Sequence, residues 1–223
     1  MKSTLGRRVA AEFIGTAFLL AAVVGSGIMG ERLAGGNVAL ALLANTIATG
    51  AALVALILTF APISGAHLNP VVTMAGAIEG ELPGIETTAY ILAQILGAVC
   101  GAIAAHAMFT LPAVSISQHA RSGGAQAFSE FVATFGLLCV IRGCSRLRPE
   151  AVAPAVGAYI TAAYWFTAST SFANPAVTVA RALSNTFAGI APSSAPLFIG
   201  AQLVGALAAV WVFGWLLKEE PSP

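Results

Sequence analysis

Six stretches of the chain are apolar over the length of a membrane-crossing helix: about 9 to 30, 37 to 60, 85 to 109, 127 to 145, 152 to 169 and 195 to 217. A helix needs roughly 20 apolar residues to cross a hydrocarbon core of about 30 Å, so the pattern predicts an all-α membrane protein. Gly and Ala are dense in these stretches, as at Gly97, Gly101, Gly205 and Ala209. Such small residues let helix backbones approach closely and pack by van der Waals contact. Between the second and third stretches, and between the fifth and sixth, lie segments too short to cross and too apolar to be ordinary loops.

The pattern repeats. Ala11-Glu12-Phe13-Ile14-Gly15-Thr16 matches Ser129-Glu130-Phe131-Val132-Ala133-Thr134, Asn69-Pro70-Val71-Val72-Thr73 matches Asn174-Pro175-Ala176-Val177-Thr178, and Ala93-Gln94-Ile95-Leu96-Gly97-Ala98 matches Ala201-Gln202-Leu203-Val204-Gly205-Ala206. The three pairs occur in the same order. Three spans per copy is an odd number, so the second copy enters the membrane upside down, and a functional site is expected where the copies meet.

The two intervening segments carry the chemistry. In Ser64-Gly65-Ala66-His67-Leu68-Asn69-Pro70, Asn is a favoured N-cap and Pro is favoured at the first helical position. A helix from Asn69 to about Gly80 has a length of roughly 16 Å, half a bilayer, so it re-enters without crossing. Thr170-Ser171-Phe172-Ala173-Asn174-Pro175 starts a second half-helix from the opposite face. Irregular backbone at that depth is tolerated only inside protein or beside a water-filled cavity, which implies an aqueous pore. Each helix N-terminus carries roughly half a positive charge. Two of them meeting raise the energy of a cation there, while the Asn amides donate to a passing oxygen. Half-helix dipoles aimed into a pore in this way exclude cations generally. The plainer reading, two unrelated Asn-Pro turns, sits poorly with their matched contexts and repeat positions.

Composition supports a chain solvated by lipid: 58% of its 223 residues are hydrophobic and 9% are charged, against about 25% charged in soluble domains. A formal charge of +1 gives no footprint for nucleic acid. Asp is absent, the histidines are His67, His106 and His119, and no motif joins a nucleophile to a base, so an enzyme is the remotest reading. Cys100, Cys139 and Cys144 stand in no metal or redox spacing and read as packing residues; no cofactor and no metal site are expected. The basic N-terminal residues precede an apolar run too long for a signal segment, and the N-terminus is expected to be retained. Lys2, Arg7, Arg8, Arg142, Arg146, Arg148 and Lys218 fall on one side of a six-span topology, leaving Arg32, Arg121 and Arg181 for the other. By the positive-inside rule both termini are cytoplasmic.

Through SGAHLNPVVT and FANPAVTVA and the flanking repeats, the chain resembles the aquaporin (major intrinsic protein) family over nearly its whole length. The resemblance implies an all-α hourglass of six transmembrane helices and two re-entrant half-helices. It implies one channel domain over 1–223, with inverted repeats at 1–125 and 126–223, in a plasma (inner) membrane. It further implies a homotetramer with a separate pore in each protomer. The pore motifs are then Asn69, Pro70, Val71 and Asn174, Pro175, Ala176, the Asn side chains being central donors. Backbone carbonyls near Gly65, Ala66, His67, Thr170, Ser171 and Phe172 form a polar track, and Glu12 and Glu130 brace the re-entrant loops. Independently, a carboxylate inside an apolar span is costly and needs a partner; an interfacial position is the plainer reading for Glu12, and the matched placement of Glu130 weakens it.

The family usually has Arg directly after its second motif, where this chain has Val177. Counting along the family pattern puts the other constriction residues at Thr49, about Ala162, and Ser171, so small neutral side chains and a wide, partly apolar filter are expected. Losing the Arg removes bulk and a fixed donor array. Solutes larger than water become candidates: polyols such as glycerol, urea-like molecules, and undissociated metalloid acids. Thr178 stands where the glycerol branch usually has Asp. The chain looks more like the bacterial channels associated with arsenic resistance, which implies neutral arsenite or methylated arsenicals as cargo.

Arg181 lies four residues beyond Val177 and so on the same face, one turn nearer the outer surface. It overhangs the outer mouth, preserving part of a cation barrier, or it turns toward loop carbonyls or headgroups. His67 is expected to face the inner vestibule, with packing as the alternative; His106 and His119 carry no visible motif. Tyr159, Tyr164 and Trp165 read as packing and interface anchoring, and Trp211 and Trp215 as an aromatic belt. Competing readings stay open: a water and glycerol facilitator without a metalloid role, an alternating-access transporter and a non-conducting scaffold. An alternating-access transporter lacks embedded ionisable residues for ion coupling, and a scaffold has little loop surface to use.

Overall fold

The computed structural model describes residues 3–218; the expectation for Lys2 lies outside them. The elements are α1 (Leu5–Leu33), α2 (Val38–Ser64), α3 (Pro70–Ile78), α4 (Gly84–Met108), α5 (Gly124–Leu147), a 3-10 turn (Pro149–Ala151), α6 (Val152–Phe166), α7 (Pro175–Ala182) and α8 (Ala195–Leu216). Among the described residues no β-strand occurs beyond an isolated bridge between Ser115 and Ser184. Five helices, α1, α2, α4, α5 and α8, are long and apolar enough to cross a membrane. The sixth, α6, has 15 residues and ends three residues before the expected boundary. Its last turn gives way at Thr167, whose extended backbone and hydroxyl bond to the carbonyl of Ala163 close the helix.

The first half-helix is shorter than the sequence suggested. α3 has 9 residues and α7 has 8, about 12 to 14 Å each. α3 stops at Glu79, and Gly80 follows with a left-handed φ of 81°.

Small residues set the helix packing. α1 packs against α4 and α2, α5 against α8 and α6, and α2 against α6. A Cβ at Gly97 or Gly101 would collide with the carbonyl oxygens of Phe13 and Ala17 on α1, and one at Gly205 would collide with that of Phe131 on α5. Each half-helix touches both α4 and α8 through its own packing: α3 and α7 each lie against both helices and against each other. The two halves of the chain therefore interlock across the centre.

Large apolar side chains such as Phe18, Ile47, Leu96, Phe128 and Trp211 are exposed, as suits an outer surface facing lipid, whereas Glu12, Glu130, Gln94 and Gln202 are fully buried. Trp211 and Trp215 point outward near the end of α8. Cys100 is exposed and Cys139 and Cys144 are half-buried, all three as free thiols. The segment after α4 is fastened over the end of α7: Ser115 and Ser117 N–H donate to the carbonyls of Leu183 and Ala182, and Ala191 N–H donates to that of His119. His106 secures the same region through Ala113 and Ser184.

Candidate functional site: the central pore

Asn69 and Asn174 are extended residues capping α3 and α7, with φ of −159° and −158°. The side-chain oxygen of Asn69 accepts from Val71 N–H at 3.1 Å, and that of Asn174 accepts from Ala176 and Val177 N–H at 2.9 and 3.2 Å. Their amide nitrogens reach across the centre. Asn69 Nδ2 donates to the carbonyl of Ala173, and Asn174 Nδ2 to that of Leu68, both at 2.8 Å. Each caps its own half-helix and holds the loop entering the other. An amide nitrogen has two hydrogens; the one left over on each is available to the cavity that both side chains line.

The loops leading into the caps are held in unusual backbone conformations. Ala66, Leu68, Thr170, Ser171 and Ala173 all have left-handed φ between 48° and 58°, at roughly 1 kcal/mol or more each for an L-residue. Two buried carboxylates stabilise them. Glu12 accepts from His67 and Leu68 N–H at 3.0 and 2.7 Å, from the Ser64 hydroxyl at 2.6 Å, and from Gln94 Nε2 at 2.8 Å. Glu130 accepts from Phe172 and Ala173 N–H at 2.9 and 2.8 Å and from Gln202 Nε2 at 2.7 Å. The same amides donate onward, Gln94 to the Thr73 hydroxyl and Gln202 to that of Thr178. Both hydroxyls in turn donate to the carbonyls of Asn69 and Asn174. Gln94, Gln202 and Thr73 were not singled out from the sequence, although a Gln in each of two matched apolar repeats was the available signal, and Thr178 was noted there only for standing where Asp is usual. Both glutamates are fully buried within the protein.

A cavity of about 840 Å³ runs past the paired asparagines. At one end it meets Arg142, Arg146, Glu79, Glu81 and Lys218; at the other, Thr49, Tyr164, Ser171, Val177 and Arg181. Arg142 forms an ion pair with Glu79 at the end of α3. Gly65, Ala66, His67 and Phe172 line the cavity. His67 hydrogen-bonds the Thr73 hydroxyl through Nδ1 at 3.1 Å, and its ring meets the edge of Tyr90 at 5.6 Å. Pro70, Val71, Pro175 and Ala176 are buried behind the lumen, where they build the half-helix starts.

Three expectations are corrected. Ala162 is exposed on the outer face of α6 and does not reach the cavity. Ile160 and Tyr164 do, because residues four apart share a helix face and one midway between them is turned away. Tyr164, expected to pack or anchor, is a lining residue whose hydroxyl donates to that of Thr49 at 3.3 Å. Thr170 is half-buried, its N–H bonded to the carbonyl of Thr167, and it stands off the cavity; the lining stretch is Ser171 to Asn174.

The small, neutral filter is corrected with them, since an aromatic and a cation line that end. Arg181 combines both of its expected placements. Its Nε donates to the loop carbonyl of Ala188, while the residue lines the cavity and its Cζ lies 3.4 Å from the Phe172 ring centre.

Comparison with known proteins agrees with this geometry. The family model described as major intrinsic protein matches residues 1–150. The chain is 53% identical over 214 residues to the aquaglyceroporin AqpS of Rhizobium meliloti (strain 1021), covering 96% of this chain and 91% of that protein. It is 30% identical over 248 residues to the probable aquaporin AqpM of Archaeoglobus fulgidus, covering 98% and 100%. The X-ray structure of the aquaglyceroporin from Plasmodium falciparum shares the fold with a TM-score of 0.74 at 21% identity, over 94% of this chain and 96% of that one. The family match, the full-length relatives and the buried, paired asparagines converge: the chain belongs to the major intrinsic protein family and is a multi-pass membrane channel for small solutes, not an enzyme.

Proposed function

We propose that this chain is a passive plasma-membrane channel for small uncharged solutes larger than water. Glycerol- and urea-like molecules and neutral arsenite or methylated arsenicals are its cargo, and water also passes. The observation that carries this reading is Val177: it lines the cavity one turn along α7 from the capping Asn174, where a shorter apolar side chain leaves width that an Arg would fill. The amides at the centre can donate to any solute oxygen, so discrimination rests on size and apolar fit along walls such as Leu19, Val23 and Ile160. The lining thus supports the arsenical cargo by shape and hydrogen bonding, alongside the resemblance to arsenic-resistance channels.

Two inverted repeats, 1–125 and 126–223, are part of the proposal, supported by the matched bonding of Glu12, Gln94 and Thr73 with Glu130, Gln202 and Thr178. The end bearing Arg142, Arg146 and Lys218 is assigned to the cytoplasm with both termini, supported by its excess of basic residues. The homotetramer rests on the family resemblance, and light scattering of the detergent-solubilised protein measures it. The test of function is stopped-flow light scattering on proteoliposomes with water, glycerol, urea and neutral arsenite. Val177→Arg is expected to depress the larger solutes more than water; equal fluxes in both proteins for every solute would overturn the width argument.

A further inference from the structure

Arg181 is the largest fully buried side chain among the described residues. An arginine inside a membrane protein is costly, and is generally placed where it meets a partner or a water-filled path. The ion pairs among the described residues, Arg8 with Glu86 and Arg142 with Glu79, leave it out. Glu130, the carboxylate of the same region, is occupied by Phe172, Ala173 and Gln202.

What holds the guanidinium is neutral: the Ala188 carbonyl at Nε and the face of Phe172. Phe172 is itself fixed edge-on against Phe198, with centres 5.1 Å apart. A second guanidinium, Arg121, stands 5.2 Å from the same ring, tied to the carbonyls of Gly189 and Ser169. Arg181 Nη1 is buried without a hydrogen-bond partner among the described residues, and so is the hydroxyl of Ser171. Both residues line the cavity, so the groups able to satisfy them are water and solute.

We infer that Arg181 supplies a fixed cation at the end of the channel opposite Arg142, Arg146 and Lys218, one helical turn beyond Val177, and that charge selection and size selection are thereby separated onto two levels of the pore. Four residues along a helix is about 6 Å. At the Val177 level the lumen keeps its width. At the Arg181 level a guanidinium over the Phe172 ring, backed by Arg121, opposes cations while Nη1 and the Ser171 hydroxyl meet the oxygen of a neutral solute. The inference rests on the channel reading above.

The test uses the full chain in proteoliposomes, with potassium efflux and glycerol flux measured on the same vesicles. Arg181→Met removes the charge, Arg181→Gln removes it while keeping a donor for Ala188, and Arg181→Lys keeps the charge. In Met and Gln variants the ratio of potassium to glycerol flux is expected to rise on the order of tenfold or more, glycerol flux persisting at a reduced level because a donor is gone. Arg181→Lys is expected to stay near the parent ratio, and adding Val177→Arg to Arg181→Met to restore cation exclusion while narrowing the path for glycerol. An unchanged ratio in a neutral variant that passes glycerol overturns the inference and leaves the channel reading standing. If Arg181→Met passes no solute, Arg181→Gln decides by the same criterion. A parent protein that passes neither water nor glycerol overturns both.

Discussion

Asn69 donates its side-chain N–H to the carbonyl of Ala173, the residue immediately before the other capping asparagine, and the reverse bond from Asn174 to Leu68 has the same length of 2.8 Å. The pair is a structural clasp as well as a lumen-facing donor set. Asn69→Ala removes an N-cap, at about 1 kcal/mol, and leaves the buried Ala173 carbonyl unpaired, at about 1–3 kcal/mol more. A lower thermal unfolding midpoint in detergent is expected together with loss of solute flux. Asn174→Ala is expected to cost at least as much, because its side-chain oxygen accepts two N–H bonds where Asn69 accepts one.

The carboxylate braces are asymmetric. Glu12 accepts four bonds and Glu130 three, the extra one coming from Ser64, whose own carbonyl accepts from Tyr90. Glu12→Gln turns an NH2 group toward donors in a buried site, and a loss of about 3 kcal/mol is expected. Gln94→Ala removes one bond to Glu12 and one to Thr73, and about 1–2 kcal/mol is expected. Unfolding midpoints of the two variants, with glycerol flux on the same preparations, check the order; a Gln94→Ala protein less stable than Glu12→Gln would contradict it.

The paired motifs were legible because they are local: Asn followed by Pro dictates a cap and a helix start wherever it stands. The spans were legible because roughly 20 apolar residues leave little choice in lipid. What failed was helix phase. Counting along a family pattern placed the α6 position at Ala162, and an offset of two residues turns a side chain about 200° around a helix of 3.6 residues per turn. Arg181 was legible by spacing on its own helix, but its anchor at Ala188 lies in an irregular segment whose course no periodicity records. The glutamines were visible as repeats, yet their bonds join α4 to α1 and α8 to α5, contacts that exist only after packing.

The corrected phase of α6 has a direct test. Tyr164 lines the cavity and Ala162 does not. Tyr164→Ala is expected to raise glycerol and urea flux several-fold by widening that end and freeing the Thr49 hydroxyl. Ala162→Trp, on the outer face, is expected to leave all fluxes at the parent level in stopped-flow measurements. The opposite pattern would restore Ala162 to the lumen.

The pore exists only if α1 and α4 come close enough for Glu12 to reach both Gln94 and the α3 loop. That approach is set by Gly97 and Gly101, whose Cβ positions are filled by the backbone of α1 at Phe13 and Ala17. Backbone cannot step aside as a flexible side chain can, so Gly101→Val forces the helices apart at a cost of about 3 kcal/mol or more. Separation at that crossing also lengthens the Glu12–Gln94 bond, which couples the packing defect to the loop brace. Gly200 offers the control, since a Cβ there meets nothing within 4 Å. The Gly101→Val protein is expected to unfold at a markedly lower temperature and pass little glycerol, while Gly200→Ala behaves as the parent; parent-like stability in Gly101→Val would mean that the two helices are not in backbone contact.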